Sequence, residues 1–209
     1  MSFMTFVLEN GSEVKTDNVA GGLAVLARGN DDDPPVKLLV YRLQESLPRE
    51  LAVALGENKT VTSLVVDGNH VGEEGGAWVA EVLERSTTIA SLDLSHNLVG
   101  DNGVRLIGQS LARNASLISL NLSGAGVGPV GASAIAAALA TNSTLQSLNL
   151  SDNNLGLEGG DDLAAALATN TTLTSLYHTA GCTPAASERI NEVLARNHAL
   201  ANLARRRTP

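Results

Sequence analysis

The chain is poor in the residues from which many enzymes and nucleic-acid binders are built. It has a single cysteine, Cys182, so no internal disulfide framework can form and a reducing setting is expected. Its aromatic residues are one Trp, two Tyr and two Phe in 209, too few for a base-stacking surface. Lys and Arg number 14 against 22 Asp and Glu, and a body of net charge −8 repels phosphate backbones, so nucleic acid is not an expected partner. No apolar run reaches the roughly 18 residues that a membrane-spanning helix needs, so no membrane insertion is expected. The start, Met1-Ser-Phe-Met-Thr-Phe6, has no basic stretch followed by an apolar one; no secretory signal is expected, and the localisation is read as cytoplasmic.

What the chain does have is repetition. Val61-Thr-Ser-Leu64-Val-Val66, Ile89-Ala-Ser-Leu92-Asp-Leu94, Leu117-Ile-Ser-Leu120-Asn-Leu122 and Leu145-Gln-Ser-Leu148-Asn-Leu150 recur with a fixed period of 28, and Leu173-Thr-Ser-Leu176 follows in step. Each unit continues through glycines at fixed places (Gly72 and Gly75, Gly100 and Gly103, Gly128 and Gly131, Gly156 and Gly159) into an Ala/Leu-rich helix that ends near Asn114, Asn142 or Asn170. LxxLxL followed by a helix is the pattern of a leucine-rich repeat. The expected fold is an α/β solenoid, a horseshoe arc with a parallel sheet on its concave side and helices on its convex side. The length of the unit and its full outer helix resemble the ribonuclease-inhibitor type across residues 36–203.

Two domain-level segments are expected: a cap over residues 1–33 and a solenoid of about six units over 34–209. In the cap, Asn10-Gly11 between alternating runs predicts a two-residue hairpin turn, and Val19–Arg28 a helix. A degenerate first unit is read from Val36, Leu38 and Leu43 against Leu64, Val66 and Val71, with Leu51, Ala54, Leu55 and Asn58 against Val79, Val82, Leu83 and Ser86. At the other end, Leu200-Ala-Asn-Leu203 follows Leu173-Thr-Ser-Leu176 one position sooner than the period requires. It predicts the start of a further repeat after a helix over Ala186–Arg196. The sequons at Asn58, Asn114, Asn121, Asn142, Asn149 and Asn170 recur with the repeat and are read as part of it, not as glycosylation sites.

Side chains alternate along a strand, so the residues between the leucines are expected to face the concave side in three columns. The first is serine throughout: Ser63, Ser91, Ser119, Ser147, Ser175. The second is Val65, Asp93, Asn121, Asn149 and Tyr177, and the third is Asp67, Ser95, Ser123, Ser151 and Thr179. The candidate partner-binding surface is Ser91, Asp93, Ser119, Asn121, Ser147, Asn149, Ser175 and Tyr177, with Tyr177 as its aromatic anchor. Asn69, Asn97 and Asn153 are expected to turn inward and satisfy backbone groups; Ala125 takes that place in the third unit, whose turn is expected to be irregular.

Other signals are weaker. Gly126-Val-Gly128-Pro-Val-Gly131 has the spacing of a dinucleotide fingerprint, but two of its glycines belong to the repeat. His178 near Cys182 is the one Cys/His proximity, at an irregular turn, and no paired carboxylates, metal-ligand spacing or Walker loop exist. No cofactor and no catalytic activity are expected. Trp78 is read as packing against the N-terminal cap. The helix of the third unit, Gly131 to Thr141, has no charge and offers a lateral contact. Residues 182–209 carry 5 basic and 2 acidic side chains against 9 and 20 before them, ending in Arg205-Arg206-Arg207.

The Asn58-Lys-Thr-Val-Thr-Ser-Leu64 run, Tyr177-His178 after the last strand and the arginine-rich end are similar to the C-terminal domain of tropomodulin and leiomodin. The main functional expectation is a non-catalytic scaffold that binds a partner protein. The resemblance implies actin as an alternative partner, and assembly of the chain with itself is a further alternative.

Overall fold

The computed structural model describes residues 3–8, 13–16, 36–41, 49–67, 71–178 and 182–206. Within them, the LxxLxL segments form parallel strands: β3 (Val36–Tyr41), β4 (Val61–Asp67), β5 (Ser91–Asp93), β6 (Ser119–Asn121), β7 (Ser147–Leu150) and β8 (Ser175–His178). They alternate with α1 (Arg49–Glu57), α2 (Gly72–Arg85), α3 (Gly100–Leu111), α4 (Pro129–Leu139), α5 (Gly156–Leu167) and α6 (Pro184–Arg205). Two further strands, β1 (Phe3–Leu8) and β2 (Glu13–Thr16), pair antiparallel with each other, and β1 pairs antiparallel with β3. The result is one open eight-stranded sheet in the order β2-β1-β3-β4-β5-β6-β7-β8, the sheet of an α/β leucine-rich repeat solenoid.

The constant period sets the register. Leu64 lies beside Leu92, Leu92 beside Leu120, Leu120 beside Leu148 and Leu148 beside Leu176. The first four of these leucines are buried, together with Val104, Ile107 and Leu111 of α3, Ile135 and Leu139 of α4, and Leu163 and Leu167 of α5. Strand leucines and helix residues thus form one core that runs the length of the array, and no unit could bury its apolar face alone.

Three expectations need correction. Leu38 pairs with Leu64 and Val40 with Val66, so Val36 and Leu38 do not align with Leu64 and Val66. The slip by two positions keeps strand parity, and Leu38 and Val40 are both fully buried. The helix keeps the period, with Leu51 and Leu55 buried like Val79 and Leu83, so the first unit is shorter by the same two positions between strand and helix. In the hairpin, a two-residue Asn10-Gly11 loop would set Val7 against Val14, whereas Val7 pairs with Glu13; this register needs an odd number of linking residues. The turn itself, the helix over 19–28 and the 29–35 loop lie outside the described residues.

The third correction is at the C-terminus. Leu200 and Leu203 start no repeat: α6 runs unbroken to Arg205, and the two leucines are 46% and 52% exposed on it. The reason lies in how the other units leave their helices. In Asn142-Ser-Thr144 the amide oxygen of Asn142 accepts from the backbone N–H of Thr144 (3.0 Å) and of Leu145 (2.8 Å), which turns the chain into the next strand. Its Nδ2 donates to the carbonyls of Leu111 and Asn114 one unit earlier. The Thr144 hydroxyl also donates to the Asn114 carbonyl. Asn58, Asn114 and Asn170 accept in the same way, so the recurring sequon is a structural turn. Asn197 is buried and keeps one of the two backward bonds, to the carbonyl of Asn170, but its second goes to Leu173 instead of the last residue of the preceding helix, and Ala199 stands where the hydroxyl residue would be. Its oxygen accepts instead from Arg196 Nε and Nη2, and the helix continues.

Candidate functional site

The first column is brought together as expected of the register: Ser63, Ser91, Ser119, Ser147 and Ser175 lie side by side across five strands, each half-buried. Small side chains here leave the sheet surface low. In the second column the side chains hold their own turns. Asp93 Oδ1 accepts from Ser95 N (2.9 Å) and the Ser95 hydroxyl (2.7 Å), Asn121 Oδ1 from Ser123 N (3.1 Å), and Asn149 Oδ1 from Ser151 N (3.0 Å). One oxygen at each position is therefore committed to the fold. Tyr177 differs: it lies beside Asn149 in register, is 59% exposed, and stands on the last strand of the sheet. In the third column Ser123 is buried and donates to Asp152 Oδ2, so it offers nothing to a partner. The side chain of Asp67, and Thr179, lie outside the description.

The inward asparagines satisfy the turning backbone. Asn97 is fully buried and donates to the carbonyls of Val66 (2.6 Å) and Ser95 (3.0 Å). Asn153 donates to Leu122 and Leu150 and accepts from Val127 N (2.9 Å), so the fourth unit supplies the third with a partner. Asn69 is outside the described residues. The third turn keeps the course of its neighbours at Gly124 (φ +60°), where His96 and Asp152 both have φ +58°. It departs at Gly128, which is extended (φ −99°, ψ −168°) where Gly72, Gly100 and Gly156 have φ between +57° and +68°. Pro129 follows, and the residue before a proline is held to extended backbone. The irregularity thus sits at the helix entry, away from Ala125, which is fully buried.

That helix entry also disposes of the glycine-rich fingerprint. The carboxylate of Asp101, on α3, accepts from the N–H of Gly128 (2.7 Å) and of Gly131 (2.8 Å). It occupies the anion position that the N-terminus of α4 creates. A Cβ on Gly128 would come 2.6 Å from Asp101 Oδ2, and one on Gly131 2.7 Å from Oδ1. The glycines admit a carboxylate of the chain itself, at the place where a phosphate would have to sit.

Trp78 is 5% exposed on α2, within the continuous core. Cys182 is a half-buried free thiol packed against the core, and 179–181, between it and His178, are outside the description. Among the described residues no group of three or more His, Cys, Asp or Glu could hold a metal ion, and no helix is long and apolar enough to cross a membrane. α4 is free of charge along its length, with Val130 exposed, and is tied to α5 by a hydrogen bond from the Ser133 hydroxyl to Asp162.

One feature was not legible as a site in the sequence. The end of α6 projects past the turns and encloses, with the first residues of the strand segments, a groove of about 580 Å³. Ile118, Gln146 and Thr174, one per unit, form its floor, and Leu200, Ala201, Ala204 and Arg205 form its wall. The missing hydroxyl at Ala199 was the available signal, because only a helix that fails to turn can make this wall.

Residues 57–77, 85–108, 113–136 and 141–164 match a family model described as Leucine Rich repeat. Among solved structures, Leiomodin-1 Actin-Binding Site 2 is similar with a TM-score of 0.60 and 26% identity, covering 64% of this chain and 78% of that one. The tropomodulin C-terminal domain of Caenorhabditis elegans is similar with a TM-score of 0.62 and 16% identity, covering 91% and 98%, a likeness of fold. No curated protein is significantly similar in sequence.

Proposed function

The chain is a leucine-rich repeat protein, and from that premise we propose that it is a non-catalytic, cytoplasmic scaffold whose concave strand face binds a partner protein around Tyr177. The observation that carries this reading is Tyr177 itself: a tyrosine 59% exposed beside a floor of serines and turn-forming Asp and Asn. A rigid amphipathic ring standing above small neighbours is what an interface anchor needs, because it offers large contact area for two rotatable bonds. Ser91, Ser119, Ser147 and Ser175, with Asp93, Asn121 and Asn149, would line the approach and contribute hydrogen bonds at low conformational cost. The test compares wild type with Tyr177→Ala as bait in a cytoplasmic extract, with bound proteins quantified by mass spectrometry. We expect a protein held by wild type and reduced about tenfold or more with the variant, the loss of about 1.4 kcal/mol. Equal capture by both would remove Tyr177 as the anchor.

Actin is the second reading, favoured by the likeness to Leiomodin-1 Actin-Binding Site 2 at 26% identity. It is decided with purified actin: co-sedimentation or altered filament elongation in the presence of this chain supports it, and neither effect at micromolar protein counts against it.

A further inference from the structure

We propose that the strand-to-helix turns before α3, α4 and α5 form a docking surface for a basic segment of a partner protein, which covers Leu98, Val130 and Leu157 with apolar side chains and sets Lys or Arg against Glu73 and Glu158. The surface lies on the rim of the solenoid, apart from the concave residues around Tyr177, so the proposal goes beyond the reading above. Leu98, Val130 and Leu157 are 60%, 59% and 63% exposed. They stand on consecutive turns that touch: a Cβ on Gly126 would lie 3.9 Å from the Leu98 Cα, and one on Gly156 2.8 Å from Pro129 Cγ. Val130 follows Pro129 and Leu157 follows Gly156, each in the first turn of its helix. Gly126 and Pro129, which are exposed as well, bring no polar side chain to the surface. An exposed apolar patch that spans three units is a contact surface rather than scattered residues.

Leu98 carries the argument furthest. Its φ of +51° lies in the left-handed region, which side chains other than Gly, Asn and Asp rarely adopt. The other described non-glycine residues with positive φ are His96 and Asp152, types that tolerate it, and the position matching Leu98 in the next turn is Gly126, at φ +74°. A leucine here is opposed by its backbone and left largely in water. A contact outside the chain gives it a use.

Charge selects the occupant. Residues 94–104, 122–132 and 150–160 contain Asp101, Asp152 and Glu158 and neither Lys nor Arg; the first cation beyond them on these helices is Arg105, in the second turn of α3. Asp101 is spent on the entry of α4. Glu73, 3.7 Å from the Cβ position of Gly100, flanks the Leu98 side, and the neutral Asn102 amide that it accepts from leaves its charge uncompensated. Glu158 flanks Leu157, is exposed, and has no hydrogen bond or ion pair among the described residues. A basic segment meets these carboxylates unopposed, whereas an acidic segment or an anionic lipid surface is repelled.

The experiment selects displayed random peptides with the full chain as bait. Enriched sequences should combine two or more aliphatic or aromatic residues with two or more Lys or Arg. A representative peptide, followed by fluorescence anisotropy, should lose about tenfold or more in affinity to Leu98→Gly and to Glu158→Lys, and should bind more weakly as salt is raised. Leu98→Gly relieves the left-handed backbone, so its melting temperature should stay within about 2 °C of wild type or exceed it. A larger fall would assign Leu98 to the fold and overturn the proposal. So would no enrichment, enrichment of acidic sequences, or binding indifferent to both variants. Self-association of the chain in sedimentation velocity, lost in Leu98→Gly, would make a second copy the occupant and also overturn it. Peptides that ignore both variants but are lost with Tyr177→Ala remove the rim and leave the concave-face reading standing. Basic peptides lost with both rim variants, with partner capture unchanged in Tyr177→Ala, do the reverse.

Discussion

At the scale of the residue, Asn142 shows how much of this fold hangs on single amides. Its side chain donates to two carbonyls of the previous unit and accepts from two backbone N–H groups of its own turn, all in a buried setting. Asn142→Ala takes the acceptor from the N–H groups of Thr144 and Leu145 and one donor from each of the carbonyls of Leu111 and Asn114, which keep bonds from the Asn114 N–H and the Thr144 hydroxyl, and each buried N–H left unpaired costs about 1–3 kcal/mol before the structure relaxes. We expect about 3 kcal/mol or more of lost stability in urea denaturation, and Asn142→Asp to rescue little, since a carboxylate can accept but cannot donate to the two carbonyls. A loss under about 1 kcal/mol in Asn142→Ala would mean that the amide bridges contribute little. The sequence displayed this position as a sequon and as the mark of a helix end. Its dual role depends on a neighbour one whole unit away in the chain, which no local pattern reveals. The same holds for Asp101, whose carboxylate serves the helix of the following unit.

At the scale of the element, the helices approach one another where glycine allows it. A Cβ on Gly76 of α2 would lie 2.3 Å from the Cα of Gly103 on α3, so backbone meets backbone at this contact. Gly76→Ala must push the two helices apart along their whole contact, and overpacking of this kind costs about 1–3 kcal/mol. Helix propensity works the other way, favouring Ala by about 1 kcal/mol. We expect the steric effect to win and the melting temperature to fall by several degrees; an unchanged or raised value would show that α2 can shift freely on α3. Periodicity made the elements legible: the strands of the clean units, the turn glycines and the helices followed from one constant spacing. The misread elements lie at the ends, where that spacing changes. β3 was displaced by two positions because parity alone cannot tell Val36-x-Leu38 from Leu38-x-Val40. α6 was cut short because Leu200 and Leu203 copy the spacing of Leu173 and Leu176, while α3, α4 and α5 end three residues before their asparagine, and the hydroxyl that recurs two positions after it is absent at Ala199. The candidate surface was legible to the extent that strand alternation brings its residues side by side, but not in its chemistry, since Asp93, Asn121 and Asn149 spend an oxygen on their own turns.

At the scale of the whole molecule, the units of the array pack chiefly on their neighbours, so stability is close to a sum of unit terms and interface terms along a line. Position in the array should then decide what a buried charge does. Leu120 is 1% exposed in the interior of the sheet, between Leu92 and Leu148, and Leu120→Asp disrupts the unit together with both of its interfaces. An uncompensated carboxylate there costs several kcal/mol, comparable with the roughly 5–15 kcal/mol that holds an ordinary domain together, and the array should lose its cooperative thermal transition. Ile190 is equally buried, 1% exposed, but belongs to α6, which packs on α5 and has no further repeat beyond it. Ile190→Asp should release α6 while the units before it stay folded, giving two separated steps by circular dichroism and fast hydrogen exchange confined to 184–205. That variant would also abolish the groove without touching Tyr177, since the wall of the groove is the end of the same helix. A single melt near the wild-type temperature for Leu120→Asp would contradict the central placement of that leucine, and a single cooperative loss for Ile190→Asp would show that the last helix is bound into the array more tightly than a one-sided contact allows.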